Sequence, residues 1–207
     1  MKRLIVGISG ATGTIYGIRA LQVLKETEIE THLVVTGAAK KTILLETEFK
    51  VDYVESLADH VYDVHNIGGA VASGSFVTEG MVVMPCSIKS LSAIANSYNE
   101  NLLIRAADVT LKERRKLVLV VRETPLHKGH LQLMLRAAEL GAVILPPVPA
   151  FYHMPGTIEG IIDQVVGKVL DVFGIEHHLF PRWGVDEGKK AMELLLSERK
   201  GIKNGEQ

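Results

Sequence analysis

Gly10-Ala11-Thr12-Gly13 stands directly after the apolar run Leu4-Ile5-Val6-Gly7-Ile8. A glycine turn between a strand and a helix lets backbone N–H groups approach an anion, and the helix N-terminus adds partial positive charge. The chemistry this points to is phosphate binding. Polar or glycine-rich residues also follow four other apolar runs: Thr36-Gly37, Pro85-Cys86-Ser87-Ile88-Lys89-Ser90, Arg122-Glu123, and Pro146-Pro147-Val148-Pro149-Ala150-Phe151-Tyr152. Each has a plain structural reading. Thr36 and Ser87 suit helix N-caps, Arg122-Glu123 suits a surface ion pair, and the prolines suit a rigid turn. All five ends being polar or glycine-rich together points instead to one shared rim.

Three further groups carry titratable chemistry. Arg105, Asp108 and Lys112 are spaced to share one helix face. His127-x-x-His130 has metal-like spacing but no third ligand in view, so a helix-start role fits it better. Cys86 follows a buried run and has no evident histidine base, which makes it a packed residue rather than a nucleophile.

The elements that must hold these residues are legible from periodicity. Apolar, β-branched runs at 4–8, 32–35, 81–84, 117–121 and 142–145 predict five strands. Helical spacing occupies 15–25, 38–46, 88–97, 102–114 and 131–140. A last helix over 158–173 carries a core-facing stripe of Ile158, Ile161, Ile162, Val165, Val166, Val169 and Leu170. Strands alternating with helices predict an α/β fold: a doubly wound parallel sheet, Rossmann-like or flavodoxin-like, in a three-layer sandwich. In such sheets ligands sit outside the carboxyl ends of the strands. Residues 62–78, rich in Gly, Ala and Ser, read as one long loop, and residues after Trp183 as a charged tail with an amphipathic helix over 187–198.

Composition bounds the rest. The 207 residues suit one domain, expected over 1–184 with a tail at 185–207. Hydrophobic residues make up 47% and charged residues 23%, and the net charge of −1 draws the chain to neither nucleic acid nor membrane. One cysteine excludes an internal disulfide framework. Apolar runs fall far short of the roughly 20 residues a membrane span needs. The opening residues run straight into a strand pattern with no leader visible, so the expected location is cytoplasmic. The first turn reads Gly7-x-x-Gly10-x-x-Gly13, and Thr36 stands where a nicotinamide-binding fold places an acid, which argues against NAD. No G-K-[ST] follows, which argues against a P-loop. The single phosphate of FMN suits the hydroxyl-rich turn.

With these residues placed, the chain resembles the UbiX-type flavin prenyltransferases, a family long described as aromatic-acid decarboxylases. The resemblance rests on residues 7–13, Glu46-Thr47, Ala72-Ser73-Gly74-Ser75, Pro85-Cys86-Ser87, Arg105-Ala106-Ala107-Asp108-Val109, Leu111-Lys112-Glu113-Arg114, Arg122-Glu123-Thr124-Pro125, Phe151-Tyr152-His153 and Arg182-Trp183, and covers about residues 3–184. It implies a metal-independent transferase. A dimethylallyl group passes from dimethylallyl monophosphate to N5 and C6 of reduced FMN, and prenylated FMN is released to a UbiD-type decarboxylase. It implies a homo-oligomer, a dodecamer, with active sites between subunits. Carried onto this sequence, FMN is contacted by Gly10, Ala11, Thr12, Thr36, Ser87, Ile88, Lys89, Ser90 and Arg122. The donor meets Lys112, Tyr152 and Lys168, with Arg105 nearby and Trp183 offering aromatic help; Glu46 and Thr12 form a relay at the leaving phosphate, and Glu123 is the acid/base of ring closure. Thr12 stands where many members have serine. Lys168 stands where many have arginine, which keeps the charge and loses bidentate geometry. Two alternatives stay beside this reading: direct decarboxylation of an aromatic acid, and a non-catalytic flavin-binding subunit of a decarboxylase. Flavin-dependent cysteine decarboxylases are a further neighbour at the level of fold.

Overall fold

A computed structural model describes residues 2–183. Six parallel strands form one sheet: β1 (Lys2–Ile8), β2 (Ile29–Val35), β3 (His60–Tyr62), β4 (Gly80–Cys86), β5 (Lys116–Val121) and β6 (Val143–Ile144), in spatial order β3-β2-β1-β4-β5-β6. Among the described residues seven helices cover it: α1 (Thr14–Lys25), α2 (Gly37–Glu46), α3 (Val51–Ser56), α4 (Ile88–Ala95), α5 (Leu102–Lys112), α6 (Lys128–Glu139) and α7 (Ile158–Phe173). Strand order reverses between β1 and β4, so the switch point lies at the ends of those two strands.

The period of two along each strand builds the three layers. Leu4, Val6 and Ile8 face one side with Leu33, Val35, Val82, Met84, Val118 and Val120, under α1, α2 and α7. Ile5, Val34, Met81, Val83, Leu117, Leu119 and Val121 face the other, under α4 and α5, with Ala137 of α6. Strands buried on both faces read as continuous apolar runs, which is why β1, β2, β4 and β5 stand out in the sequence; β6, an edge strand with Val143 exposed, stands out by its apolar residues alone.

The sixth does not. His60-Val61-Tyr62 is short, half polar and at the sheet edge, so the stretch predicted as a loop from residue 62 begins as the end of β3 and also contains a 3₁₀ turn at Ala70–Ala72. α3 is likewise absent from the sequence reading. α7 has the predicted bounds, whereas α5 stops at Lys112 because Arg114 takes a left-handed φ of 55°. The helix expected over 187–198 lies outside the described residues. Among the described residues no helix is long and apolar enough to cross a membrane.

Candidate active site

The rim is set by how closely α1 lies on β4. A Cβ on Gly17 would stand 2.2 Å from the Met84 carbonyl oxygen, so only glycine admits this approach. A Cβ on Gly10 would stand 2.4 Å from that of Ala38, which lets the first turn lie against the start of α2. Gly13, at φ 92°, is the residue before α1 and supplies no side-chain cap. Its N–H donates to Glu46 Oε2 at 2.8 Å. A carboxylate from the last residue of α2 thus occupies the positive end of α1, where an anion is favoured.

Ser9 joins this turn to the next. Its buried hydroxyl donates to the Pro85 carbonyl at 2.9 Å and accepts from the Ser87 N–H at 2.8 Å. Ser87 caps α4 by accepting from the Ser90 N–H, and its hydroxyl donates to Ser90 Oγ at 3.1 Å. Thr36 caps α2 by accepting from the Ala39 N–H. The plain reading of both residues as N-caps is therefore right; both also stand on the rim.

The cleft beside this rim has a volume of about 950 Å³, near the upper end of small-molecule sites. Thr12, Gly13, Glu46, Arg122 and Glu123 line it with Tyr16, Val121, the proline segment 146–149, Ile158 and Ile162. Of the residues predicted to act on the reacting groups, Thr12, Glu46 and Glu123 therefore meet in one place. Arg122 and Glu123 do not form the ion pair their adjacency suggests: Glu123 accepts from the Thr124 N–H, and neither has a salt bridge among the described residues. Burial pushes the Tyr16 phenol up, and the Arg122 guanidinium opposes that shift across the same cleft. Cys86 is fully buried at the end of β4, and burial pushes its thiol up to about 12, so the packed reading holds.

The remaining predicted residues lie elsewhere on the chain. Lys89 is exposed, pairs with Glu100 at 3.2 Å and lines a separate groove with Asn96 and Tyr98, so its side chain is not in the cleft. Arg105 pairs with Asp108 at 3.1 Å. Lys112 pairs with Glu113 beside Gly74, four residues before β5 begins, whereas Arg122 follows the end of β5. Five steps of strand, about 16 Å, separate those two levels of the sheet. Tyr152, Trp183 and Lys168 gather on a third surface, over the outer side of α7. Tyr152 meets Trp183 edge-on at 5.6 Å, and Lys168 approaches Asp171 at 3.5 Å. Asp171 also takes Arg182 at 2.7 Å and His177 at 3.1 Å. Burial pulls its carboxyl upward, but these hydrogen bonds outweigh it and hold it below the usual range. One chain thus presents the rim, an α5 surface with Lys112, and an α7 surface with Tyr152 and Lys168.

Sequence reasoning also passed over a cluster. Glu30, His32 and His60 bring ligand-type atoms within 4.8 Å of one another across β2 and β3. His32 and His60 are register partners 28 positions apart, a juxtaposition that only strand pairing shows. His127, read as a helix-start residue, does cap α6, accepting from the Gly129 N–H.

The family model described as Flavoprotein matches residues 1–175. The flavin prenyltransferase UbiX of Escherichia coli K12 is 61% identical over 186 residues, 88% of this chain and 98% of the relative. The chain belongs to the UbiX flavin prenyltransferase family.

The enzyme of that name from Salmonella typhimurium is 60% identical with the same coverage. Among solved structures, AnUbiX (PadA1) in complex with FMN and dimethylallyl pyrophosphate superposes with a TM-score of 0.87 at 48% identity, covering 88% of this chain and 97% of that one. A dodecameric FMN-dependent UbiX-like decarboxylase from Escherichia coli O157:H7 superposes at 0.86, also at 48% identity, over 87% of this chain and 98% of that one. The peptidyl-cysteine decarboxylase EpiD shares the fold alone, at 15% identity and a TM-score of 0.58. The resemblance read from the sequence and the α/β fold are both upheld.

Proposed function

We propose that this flavin prenyltransferase joins the dimethylallyl group of dimethylallyl monophosphate to N5 and C6 of reduced FMN. The observation that carries the reading is the convergence of Thr12, Glu46, Arg122 and Glu123 on one cleft at the strand ends. The flavin, when bound, supplies the electron-rich ring that accepts the prenyl carbons. The residues fit it. The first turn is held open for close approach by Gly10 and Gly13, the hydroxyls of Thr12, Thr36, Ser87 and Ser90 stand along the rim, and Arg122 adds positive charge.

Loss of phosphate from an allylic carbon builds negative charge on the leaving oxygens, and cations aimed at them stabilise it. Lys112, Lys168 and the Tyr152 hydroxyl are the groups for that task, with Arg105 in support. Glu46 and Thr12 stand together at the first turn, placed to deliver a proton to the leaving phosphate. Glu123, exposed in the cleft, takes the proton lost when the fourth ring closes. Trp183 and Tyr152 offer aromatic faces to a developing allyl cation.

Lys112 and the Tyr152–Lys168 group lie on surfaces away from the cleft of their own chain, so the complete site needs neighbouring copies. The dodecameric relative supports an assembly of that size. On the same reading the flavoprotein domain spans 1–184, the protein works in the cytoplasm, and a UbiD-type decarboxylase receives the prenylated FMN.

Mass spectrometry of the flavin after incubation with reduced FMN and dimethylallyl monophosphate tests the activity. The expected product is a flavin heavier by one prenyl unit. Unmodified flavin, together with carbon dioxide released from an added aromatic acid, would establish the decarboxylase reading instead.

A further inference from the structure

On the β3 edge of the sheet, well below the rim, three side chains converge without a role in the reaction above. Glu30 and His32 lie on β2, and His60 opens β3 as the register partner of His32. Both imidazole Nε2 atoms approach the same carboxylate oxygen, Glu30 Oε1, His32 at 3.3 Å and His60 at 2.9 Å. The two rings stack 4.7 Å apart. His32 is 2% exposed, yet its Nε2 has no hydrogen-bond partner among the described residues; the approach to Glu30 has the distance but not the angle. Its other nitrogen, Nδ1, lies 2.9 Å from the Tyr62 hydroxyl, which fixes the ring. Glu30 is anchored too: its second oxygen takes Arg3 Nε at 3.2 Å, leaving Oε1 for the histidines.

We propose that Glu30 Oε1, His32 Nε2 and His60 Nε2 hold a divalent transition-metal ion, zinc by donor set, that staples β3 to β2. Ligand atoms at tetrahedral zinc stand about 3.3–3.6 Å apart, given bonds of roughly 2.0–2.2 Å. His32, at 3.3 Å, already stands at that spacing from Oε1; His60, at 2.9 Å, stands inside it, and its half-exposed ring at the sheet edge turns off the stack to set its distances to both partners. An imidazole–imidazole–carboxylate set suits zinc and leaves the fourth position to water. Tyr62 on His32 and Arg3 on Glu30 are the outer partners that orient metal ligands. β3 has only three residues, and its own backbone pairing is brief, so a bridge between strands is where a staple adds most.

The test uses the full-length protein dialysed against EDTA and then titrated with zinc or cobalt chloride alone. One equivalent of cobalt per chain, with the intense visible bands of a four-coordinate site, is the expected result. His60→Ala, on the exposed edge, weakens binding by more than the roughly 10–100-fold that loss of an outer partner costs. Tyr62→Phe weakens it by about 10-fold, and His130→Ala leaves it unchanged. Amide exchange across 60–62 slows on zinc addition in the parent and not in His60→Ala. Absence of stoichiometric uptake, or a titration of His60→Ala that superimposes on the parent, overturns the proposal.

Discussion

Mixing two inactive variants measures where the donor's cations come from. Lys112→Ala removes the cation proposed to face the leaving phosphate, and Glu123→Gln removes the base proposed for ring closure, which is expected to lower turnover by about 10²–10⁴-fold. Within one chain these residues stand at opposite ends of β5, with about 16 Å of strand rise between the two levels. A site that needs both must therefore draw them from different copies. When the variants are unfolded together at equal concentration and reassembled at random, each site receives an intact Glu123 wall half the time and an intact Lys112 half the time. About one quarter of parental activity returns in such a closed assembly. Each variant reassembled alone stays inactive, and so does a mixture of pre-assembled oligomers that do not exchange chains. The assay is the rate of prenylated flavin formation, followed by mass. If the reassembled mixture is as inactive as its parents, both residues act from one chain and the reasoning from the fold is wrong.

Three other outcomes follow from the geometry. Glu123→Gln keeps the shape of the side chain, so FMN affinity stays at the parental value while a singly attached, unclosed adduct accumulates; full product at parental rate refutes its role. Gly17→Ala places a carbon 2.2 Å from a backbone oxygen of central β4, so α1 has to retreat by about 1 Å, costing roughly 2 kcal/mol net of the better helix propensity of alanine. A fall in Tm of about 4–8 °C with weaker FMN binding is expected, and an unchanged Tm with parental affinity contradicts the close-packing account. Asp171 has its folded carboxyl held below its ordinary 3.8. Its contribution is full above that unfolded value and is lost as pH falls through the lower folded one. Asp171→Asn should accordingly lose less stability than the parent between about pH 5 and pH 2 in urea titrations; equal losses would show that the pairing with Arg182 and His177 contributes nothing.

What the sequence discloses divides along physical lines. Strands buried on both faces, such as Met81-Val82-Val83-Met84, betray themselves by apolar content. α7 does so by an unbroken stripe, capped by Thr157 and ended by the left-handed Gly174. Rim residues are legible because strand ends carry ligands in this architecture, so Thr12, Arg122 and Glu123 could be named in advance. β3 could not: three residues at an edge satisfy no periodicity. The pairing of His32 with His60 depends on register, and the separation of Lys112, Tyr152 and Lys168 from the cleft depends on how the elements pack. Neither is written in the pattern of a single element. His127 and His130 have metal-like spacing but open α6, and the cluster of ligand-type side chains lies instead on β2 and β3.

Ser9 couples two segments of the rim. Its hydroxyl is hidden from water and laces the tip of the first strand to the bend after Pro85. The two lips of the mouth are thereby tied before any guest arrives. If the isoalloxazine docks there as proposed, little ordering entropy is lost at these two segments, and more of the contact energy appears as affinity.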